Sequence, residues 1–171
     1  MPESPHRSRS VAAAGSAVFL ALAPGVVAGL IPWLLTGWQM EAAPVVVRIA
    51  GGLLIAVGVA YLLRAFARFV VEGLGTPAPI APPERLVVGG VYRYVRNPMY
   101  LAVGGTIVGQ ALLLGQSVLL AYAAAVGAVF IGFVRLYEEP TLSEQFGDSY
   151  DEYRRAVPRW LPRLHPWEGN N

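Results

Sequence analysis

The chain has 171 residues, of which 55% are hydrophobic and only 14% are charged, and its formal net charge is +2 at pH 7. This composition is too apolar for an ordinary soluble domain of that length, so it predicts one membrane domain over residues 1–171. The absence of cysteine excludes disulfide bonds, thiolate zinc sites and cysteine nucleophiles.

Four apolar stretches approach or exceed the roughly 20 residues that a helical membrane span needs. The predicted fold class is therefore all-α: a polytopic integral membrane protein with about four transmembrane helices. Two N-terminal spans fall within residues 11–71, and residues 99–137 form a tight helical hairpin. The four stretches are Val11–Trp38, Val45–Val71, Met99–Leu114 and Ser117–Tyr137.

Residues 72–98 form a connector that is rich in proline and glycine up to Gly90. Such a segment cannot form a regular helix or a paired strand. We expect a stiff, extended connection, either a plain linker of polyproline character or a lid across a neighbouring site.

The C-terminal segment, residues 138–171, carries an aromatic and apolar stripe at helical spacing: Leu142, Phe146, Tyr150 and Tyr153. The stripe predicts an amphipathic helix that lies in the membrane interface or packs on the ends of the spans, a pattern more typical of anchoring than of chemistry. Gly147 is expected to divide this helix, with Asp148 capping the second half.

Arginines flank the apolar stretches unevenly, and positive charge accumulates on the cytoplasmic side of membrane proteins. This bias places both termini, the connector and the C-terminal segment in the cytoplasm, with Gln39–Pro44 and Gly115-Gln116 as short external turns. The expected location is a plasma membrane of bacterial type.

Two polar segments, Gly90–Tyr100 and Arg135–Glu139, are the candidate chemical sites. His6 and His165 both lie near the termini, so neither a histidine metal site nor any other metal site is predicted. The arginines follow the membrane flanks instead of one soluble basic face, so no nucleic-acid partner is expected.

The side chains of these segments suit a charged or zwitterionic small molecule beside lipid. Glu138 and Glu139 could bind an ammonium group or ribose hydroxyls, and Arg93, Arg96 or Arg135 a carboxylate. On an α-helix, Arg135 would also lie within reach of both glutamates. A self-satisfied ion-pair network is therefore the competing interpretation.

The run Gly-x-Tyr-Arg-Tyr-Val-Arg-Asn-Pro-Met-Tyr is followed by an apolar hairpin, Glu-Glu-x-x-Leu, Phe-Gly, two tyrosines three residues apart and Val-Pro-Arg-Trp. In order and spacing, these motifs over about residues 74–163 resemble the superfamily of isoprenylcysteine carboxyl methyltransferases and phospholipid methyltransferases. The resemblance implies an integral membrane enzyme that uses S-adenosylmethionine and methylates a small lipophilic or lipid-like acceptor.

Carried over by motif, the resemblance also assigns site residues. It implies that the cofactor wall contains Tyr94, Arg96, Asn97, Pro98, Tyr100, Glu138 and Glu139. Arg135 is the candidate for orienting the acceptor, and Glu139 is the other candidate catalytic residue.

Two positions depart from the family pattern, which usually reads Arg-His-Pro where this chain has Asn97, and often glycine where it has Ala102. An amide can donate and accept hydrogen bonds but cannot act as a base. The acceptor's identity therefore stays open, and so do two alternatives: an NADPH-dependent membrane reductase and a non-catalytic protein that retained the fold. The oligomeric state is open as well.

Overall fold

A computed structural model describes residues 22–72 and 86–169 of the chain. The described residues form helices and no strand, which confirms the predicted all-α class. Residues 11–21 of the first predicted span and residues 73–85 of the connector lie outside the described ranges. The helices are α1 (Leu22–Thr36), α2 (Val45–Glu72), α3 (Pro98–Leu114), α4 (Val118–Phe133), α5 (Glu139–Phe146) and α6 (Asp148–Ala156).

Two helical stretches are long and apolar enough to cross a membrane, Val45–Ala67 in α2 and Val118–Phe146 from α4 into α5. Helices α1 and α3 are apolar but shorter. Large apolar side chains face outward on both long helices, for example Val46 at 77% exposure and Val129 at 68%. This surface suits a lipid environment better than water, because an apolar side chain gains nothing from contact with water.

Helices α2 and α3 approach each other so closely that only glycine fits at their contact. A Cβ atom added at Gly51 would lie 2.5 Å from the backbone nitrogen of Leu113 and 2.6 Å from the carbonyl oxygen of Gly109. Gly58 and Thr106 make a second close contact further along, where an added Cβ would lie 2.6 Å from the threonine hydroxyl. Close approach of this kind is how membrane helices associate when lipid removes the hydrophobic driving force.

Helix α1 docks onto the bundle through two of its own carbonyl groups. A π-helical turn at Val26–Leu30 bypasses the Val27 carbonyl, which accepts a 2.8 Å hydrogen bond from the Tyr122 hydroxyl. Pro32 has no N–H to donate four residues back, and the Ala28 carbonyl instead accepts a 2.7 Å bond from the Gln110 amide. The sequence thus frees two carbonyls, and α3 and α4 satisfy them.

The hairpin between α3 and α4 turns at Gly115, whose φ of +74° favours glycine. The loop before α2 packs on this turn, since the Glu41 amide donates to the Leu114 carbonyl at 2.7 Å. The two short turns predicted at Gln39–Pro44 and Gly115-Gln116 therefore meet at one end of the bundle.

The C-terminal segment divides into α5 and α6 at Gly147, which has a φ of +51°. The division at glycine is as predicted, but the expected cap is wrong: Gly147 occupies the capping position, and Asp148 is the first helical residue. Tyr150 and Tyr153 are almost fully buried inside the protein, in a cluster that includes Leu86 from the segment before α3. The stripe therefore serves packing within the molecule.

Candidate functional site

The segment that precedes α3 is held by backbone hydrogen bonds to the C-terminal tail, residues 157–169. The Arg96 amide donates to the Pro158 carbonyl at 3.0 Å, and the Arg163 amide donates to the Tyr94 carbonyl at 2.9 Å. The ends of the two segments are joined by Trp167, whose amide donates to the Arg93 carbonyl at 2.9 Å. The first of the two predicted polar segments, Gly90–Tyr100, is thus fixed against the tail.

Glu139 is the centre of an ion-pair cluster. Its Oε1 accepts a 2.8 Å hydrogen bond from Arg96 Nη1 and a 2.7 Å bond from Arg159 Nε, while Oε2 accepts from Arg159 Nη2. The side chains of Glu139 and Arg96 are only 10% and 9% exposed. The cluster joins α5, the start of α3 and the C-terminal tail through one carboxylate, whose two oxygens are both engaged.

A second π-helical turn, Val134–Glu138, places the glutamates. The turn ends two residues before Pro140, as the first π-helical turn ends two residues before Pro32. Because the turn is not α-helical, the spacing that would pair Arg135 with a glutamate does not apply. Arg135 is exposed and forms no ion pair with a described residue, contrary to the pairing that α-helical spacing predicts.

Glu138 points to a different partner from its neighbour. Its Oε2 accepts a 2.7 Å hydrogen bond from the Tyr100 hydroxyl, and its other oxygen bonds to no described residue. The Tyr100 ring stacks 4.7 Å from Phe130 and lies 6.4 Å from Trp160, measured between ring centroids. An acidic oxygen therefore stands beside a group of aromatic rings.

Arg96 keeps a buried donor without an acceptor. Its Nη1 atom is shared between Glu139 and the Tyr150 hydroxyl, which lies 3.1 Å away, but its buried Nε has no hydrogen-bond partner. A buried N–H without an acceptor costs about 1–3 kcal/mol. The orphaned Arg96 donor and the unpartnered oxygen of Glu138 are features that a bound polar molecule would satisfy.

The tyrosines of α6 remain neutral hydroxyls. Burial raises the pKa of Tyr150, an effect that the positive charge of Arg96 partly opposes. Burial likewise raises the pKa of Tyr153, whose hydroxyl donates a 2.7 Å bond to the Tyr92 carbonyl. The hydrogen bond to Glu139 raises the pKa of Arg159, so the cation of this pair persists at neutral pH.

Asn97 sits directly before Pro98 and α3, and it is only 6% exposed. Its side-chain nitrogen donates a 3.2 Å hydrogen bond to the Arg159 carbonyl. The amide therefore holds the C-terminal tail against the start of α3. Pro98 is fully buried at the first position of the helix, where a missing N–H costs nothing.

We expect Asn97→His to keep the fold, because an imidazole N–H can replace the amide as donor to the Arg159 carbonyl. Asn97→Ala removes the donor and should lower the unfolding free energy by about 1–3 kcal/mol. Thermal unfolding in detergent measures both. An Asn97→His protein as unstable as Asn97→Ala would contradict the hydrogen-bond role.

Tyr94 lies apart from Arg96, Tyr100 and the two glutamates. It lines a cavity of about 620 Å³ between α2, the 3₁₀ turn Gly90–Arg93 and the C-terminal tail. Arg96, Tyr100 and the two glutamates do not line this cavity. The predicted residues are thus distributed over an ion-pair cluster, an aromatic acidic pair and a separate cavity.

Sequence reasoning missed two members of the cluster, Arg159 and Tyr150. Arg159 stands in the Val-Pro-Arg-Trp motif, and Tyr150 is one of two tyrosines three residues apart, so both lie in motifs that carry the resemblance. The signal was present for each, but only the fold shows that both side chains reach Glu139 or Arg96.

Together, the fold and the site define an all-helical protein with two membrane-length helices and a polar, aromatic-lined cluster at one end of the bundle. The family model described as phospholipid methyltransferase matches residues 46–149, from the start of α2 into α6. The match covers more than half of the chain, and the chain belongs to this family.

One relative is the Protein-S-isoprenylcysteine O-methyltransferase of Schizosaccharomyces pombe (strain 972 / ATCC 24843), which is 38% identical over 79 residues. The alignment covers 46% of this chain and 34% of the relative. The chain therefore spans about a third of that relative's length. No solved structure matches the chain.

Proposed function

We propose that the protein transfers a methyl group from S-adenosylmethionine to a small lipophilic acceptor, a carboxylate or a lipid head group, at the cytoplasmic membrane face. Its membership of the phospholipid methyltransferase family supports the reaction type. The relative from S. pombe, named as an isoprenylcysteine O-methyltransferase, supports a carboxylate as one acceptor class.

The observation that carries the proposal is the free carboxylate oxygen of Glu138 beside aromatic rings, together with the orphaned Nε of Arg96. Glu138 presents a carboxylate oxygen that no described residue occupies, and Arg96 presents an orphaned Nε. Tyr100, which bonds to Glu138, and the neighbouring Phe130 and Trp160 supply flat apolar surface. An anionic acceptor, a cationic donor and stacking surface form the set that a charged nucleoside requires.

This donor set fits S-adenosylmethionine, which bears an ammonium group, a carboxylate, ribose hydroxyls and an adenine ring. Glu138 would hold the ammonium group or the ribose, Arg96 the carboxylate, and the aromatic rings the base. When bound, the cofactor supplies a methyl group on a positively charged sulfur, which is already activated for transfer.

The other residues of the site would position the acceptor and the groups that bind the cofactor. Methyl transfer to a carboxylate needs no base, so the protein mainly aligns the acceptor and excludes water. Glu139, with both oxygens held by arginines, would fix Arg96 instead of contacting the reacting atoms. Arg135 is exposed and without a described partner, and it would orient the acceptor head group.

The proposed placement in the membrane has four spans, both termini in the cytoplasm and the site on that same side. The two membrane-length helices support two of these spans, and the shared end of the two short turns supports the hairpin topology. A lipophilic acceptor would then enter between helices, while the polar cofactor enters from water.

We expect Glu138→Gln to weaken S-adenosylmethionine binding about tenfold, because a hydrogen bond to a charged group contributes roughly 1.5–3 kcal/mol. The fold should persist, since glutamine still accepts from Tyr100. Calorimetric titration of the detergent-purified protein measures the affinity. Glu144→Gln, which removes an exposed glutamate from α5, is the matched control and should leave affinity unchanged.

The same titration tests the alternatives. Binding of NADPH but not S-adenosylmethionine would favour a membrane reductase. Binding of neither by a folded sample would favour a non-catalytic protein, an interpretation to which the mutual pairing of Arg96, Glu139 and Arg159 lends some support. Unchanged affinity in Glu138→Gln would remove Glu138 from the site.

A further inference from the structure

The cavity beside α2 has a composition that the proposed methyl-transfer site does not explain. Its lining includes two arginines, Arg64 and Arg93, and two tyrosines, Tyr61 and Tyr94, and no carboxylate is among its described lining residues. Two guanidinium groups that face one volume, with no carboxylate from the described residues between them, repel each other. A cavity of this kind favours an anionic ligand.

The guanidinium groups of Arg64 and Arg93 have N–H donors that are free to bind a ligand. The Arg64 side chain is exposed and bonds to no described residue. Arg93 Nε donates a 2.6 Å hydrogen bond to the Trp167 carbonyl, which fixes the guanidinium while its two terminal nitrogens bond to nothing in the described ranges. One arginine is thus held in place by the C-terminal tail and the other is free to close on a ligand.

The depth of the cavity points to lipid. Arg64 lies 19 residues after Val45, so the α-helical rise places it about 28 Å from the start of α2. This distance matches the roughly 30 Å hydrocarbon core, beyond which lipid phosphates lie. Leu63 and Val59, one and five residues before Arg64, expose apolar side chains that acyl chains would cover.

We propose that this cavity binds the phosphate group of an anionic lipid, with Arg64 and Arg93 as its cationic donors and the hydroxyls of Tyr61 and Tyr94 as further donors. The site is distinct from the Glu138 and Tyr100 pair, since neither of these residues lines the cavity. The proposal does not rest on the methyltransferase function.

Native mass spectrometry of the delipidated full chain in detergent, titrated with dioleoyl phosphatidylglycerol, tests the site. We expect one retained lipid, and about tenfold weaker retention in Arg64→Gln because a charge-assisted hydrogen bond is lost. Arg64→Lys should restore part of the retention. Arg155→Gln, which removes an exposed arginine from α6, is the charge-matched control and should behave as the unchanged protein.

Two ligand comparisons identify what is recognised. Dioleoylglycerol has the same acyl chains without phosphate and should not be retained. If inorganic phosphate displaces the lipid, the site takes phosphate from either source; if the lipid stays bound, the site needs the lipid. Both results agree with phosphate recognition.

The proposal fails if Arg64→Gln retains phosphatidylglycerol as well as the unchanged protein does. It also fails if Arg155→Gln loses as much, or if dioleoylglycerol binds equally. Arg64 is exposed and bonds to no described residue, so its replacement should leave the fold intact, which a thermal-unfolding curve verifies. If the unchanged protein retains the lipid but does not bind S-adenosylmethionine, the result counts against the proposed function and leaves the lipid site standing.

Discussion

Replacing Glu139 by glutamine is expected to lower the free energy of unfolding by about 3–5 kcal/mol, because it leaves two neighbouring guanidinium groups without their counter-charge. For a chain of this size the corresponding fall in the unfolding midpoint is about 10 °C. Arg96 and Glu139 are almost fully buried, so solvent cannot replace the lost partner. Thermal unfolding in detergent measures the change.

The control for this prediction is Glu144→Gln on the same helix, where the glutamate is exposed and the midpoint should move little. A double variant, Glu139→Gln with Arg159→Gln, should lose less than the sum of its single variants, because one of the two unpaired cations is removed. A midpoint in Glu139→Gln equal to that of Glu144→Gln would show that the carboxylate does not hold the cluster together.

Two adjacent glycines of α2 are expected to respond to alanine in opposite directions. Gly51→Ala places a methyl group 2.5–2.6 Å from backbone atoms of α3, which must then move away, at a cost of about 1–3 kcal/mol. Gly52→Ala meets nothing within 4 Å and removes a flexible residue from a helix, so it should stabilise by about 0.5–1 kcal/mol.

The paired design separates packing from helix propensity, since both substitutions add the same atoms to the same helix. Midpoints of thermal unfolding in detergent, measured side by side, give the sign of each effect. If Gly51→Ala is as stable as Gly52→Ala, helices α2 and α3 do not approach as closely as the structure describes.

The sequence predicted the elements whose cause is local. Apolar runs of membrane length predicted α2 and the long stretch from α4 into α5, and Gly115 predicted the hairpin turn. Length, apolarity and a left-handed glycine all act within the segment itself. The family motifs pointed to Glu138 and Tyr100 as cofactor-binding residues, which stays a prediction, and the fold brings the two side chains into direct contact.

The features that were missed depend on partners distant in the chain. Glu139 pairs with Arg96 and Arg159, which are 43 and 20 residues away, and helical spacing offered Arg135 instead. The π-helical turn before Pro140 changes the helix face on which the Arg135 and Glu139 side chains lie. The spacing of apolar residues in the sequence does not predict such a turn. Which charged residues meet is therefore decided by the packing of helices and tail.

The hydrogen bonds between Arg93–Arg96 and the C-terminal tail also set an order of assembly. Their partners, Pro158, Arg163 and Trp167, are synthesised more than 60 residues later, so α3 and α4 are complete before the tail exists. Non-local contacts form late in folding because their loop-closure entropy is lost first. The segment that carries Arg96 therefore stays without its backbone partners until Pro158–Trp167 have been synthesised, although its counter-ion Glu139 on α5 is made earlier.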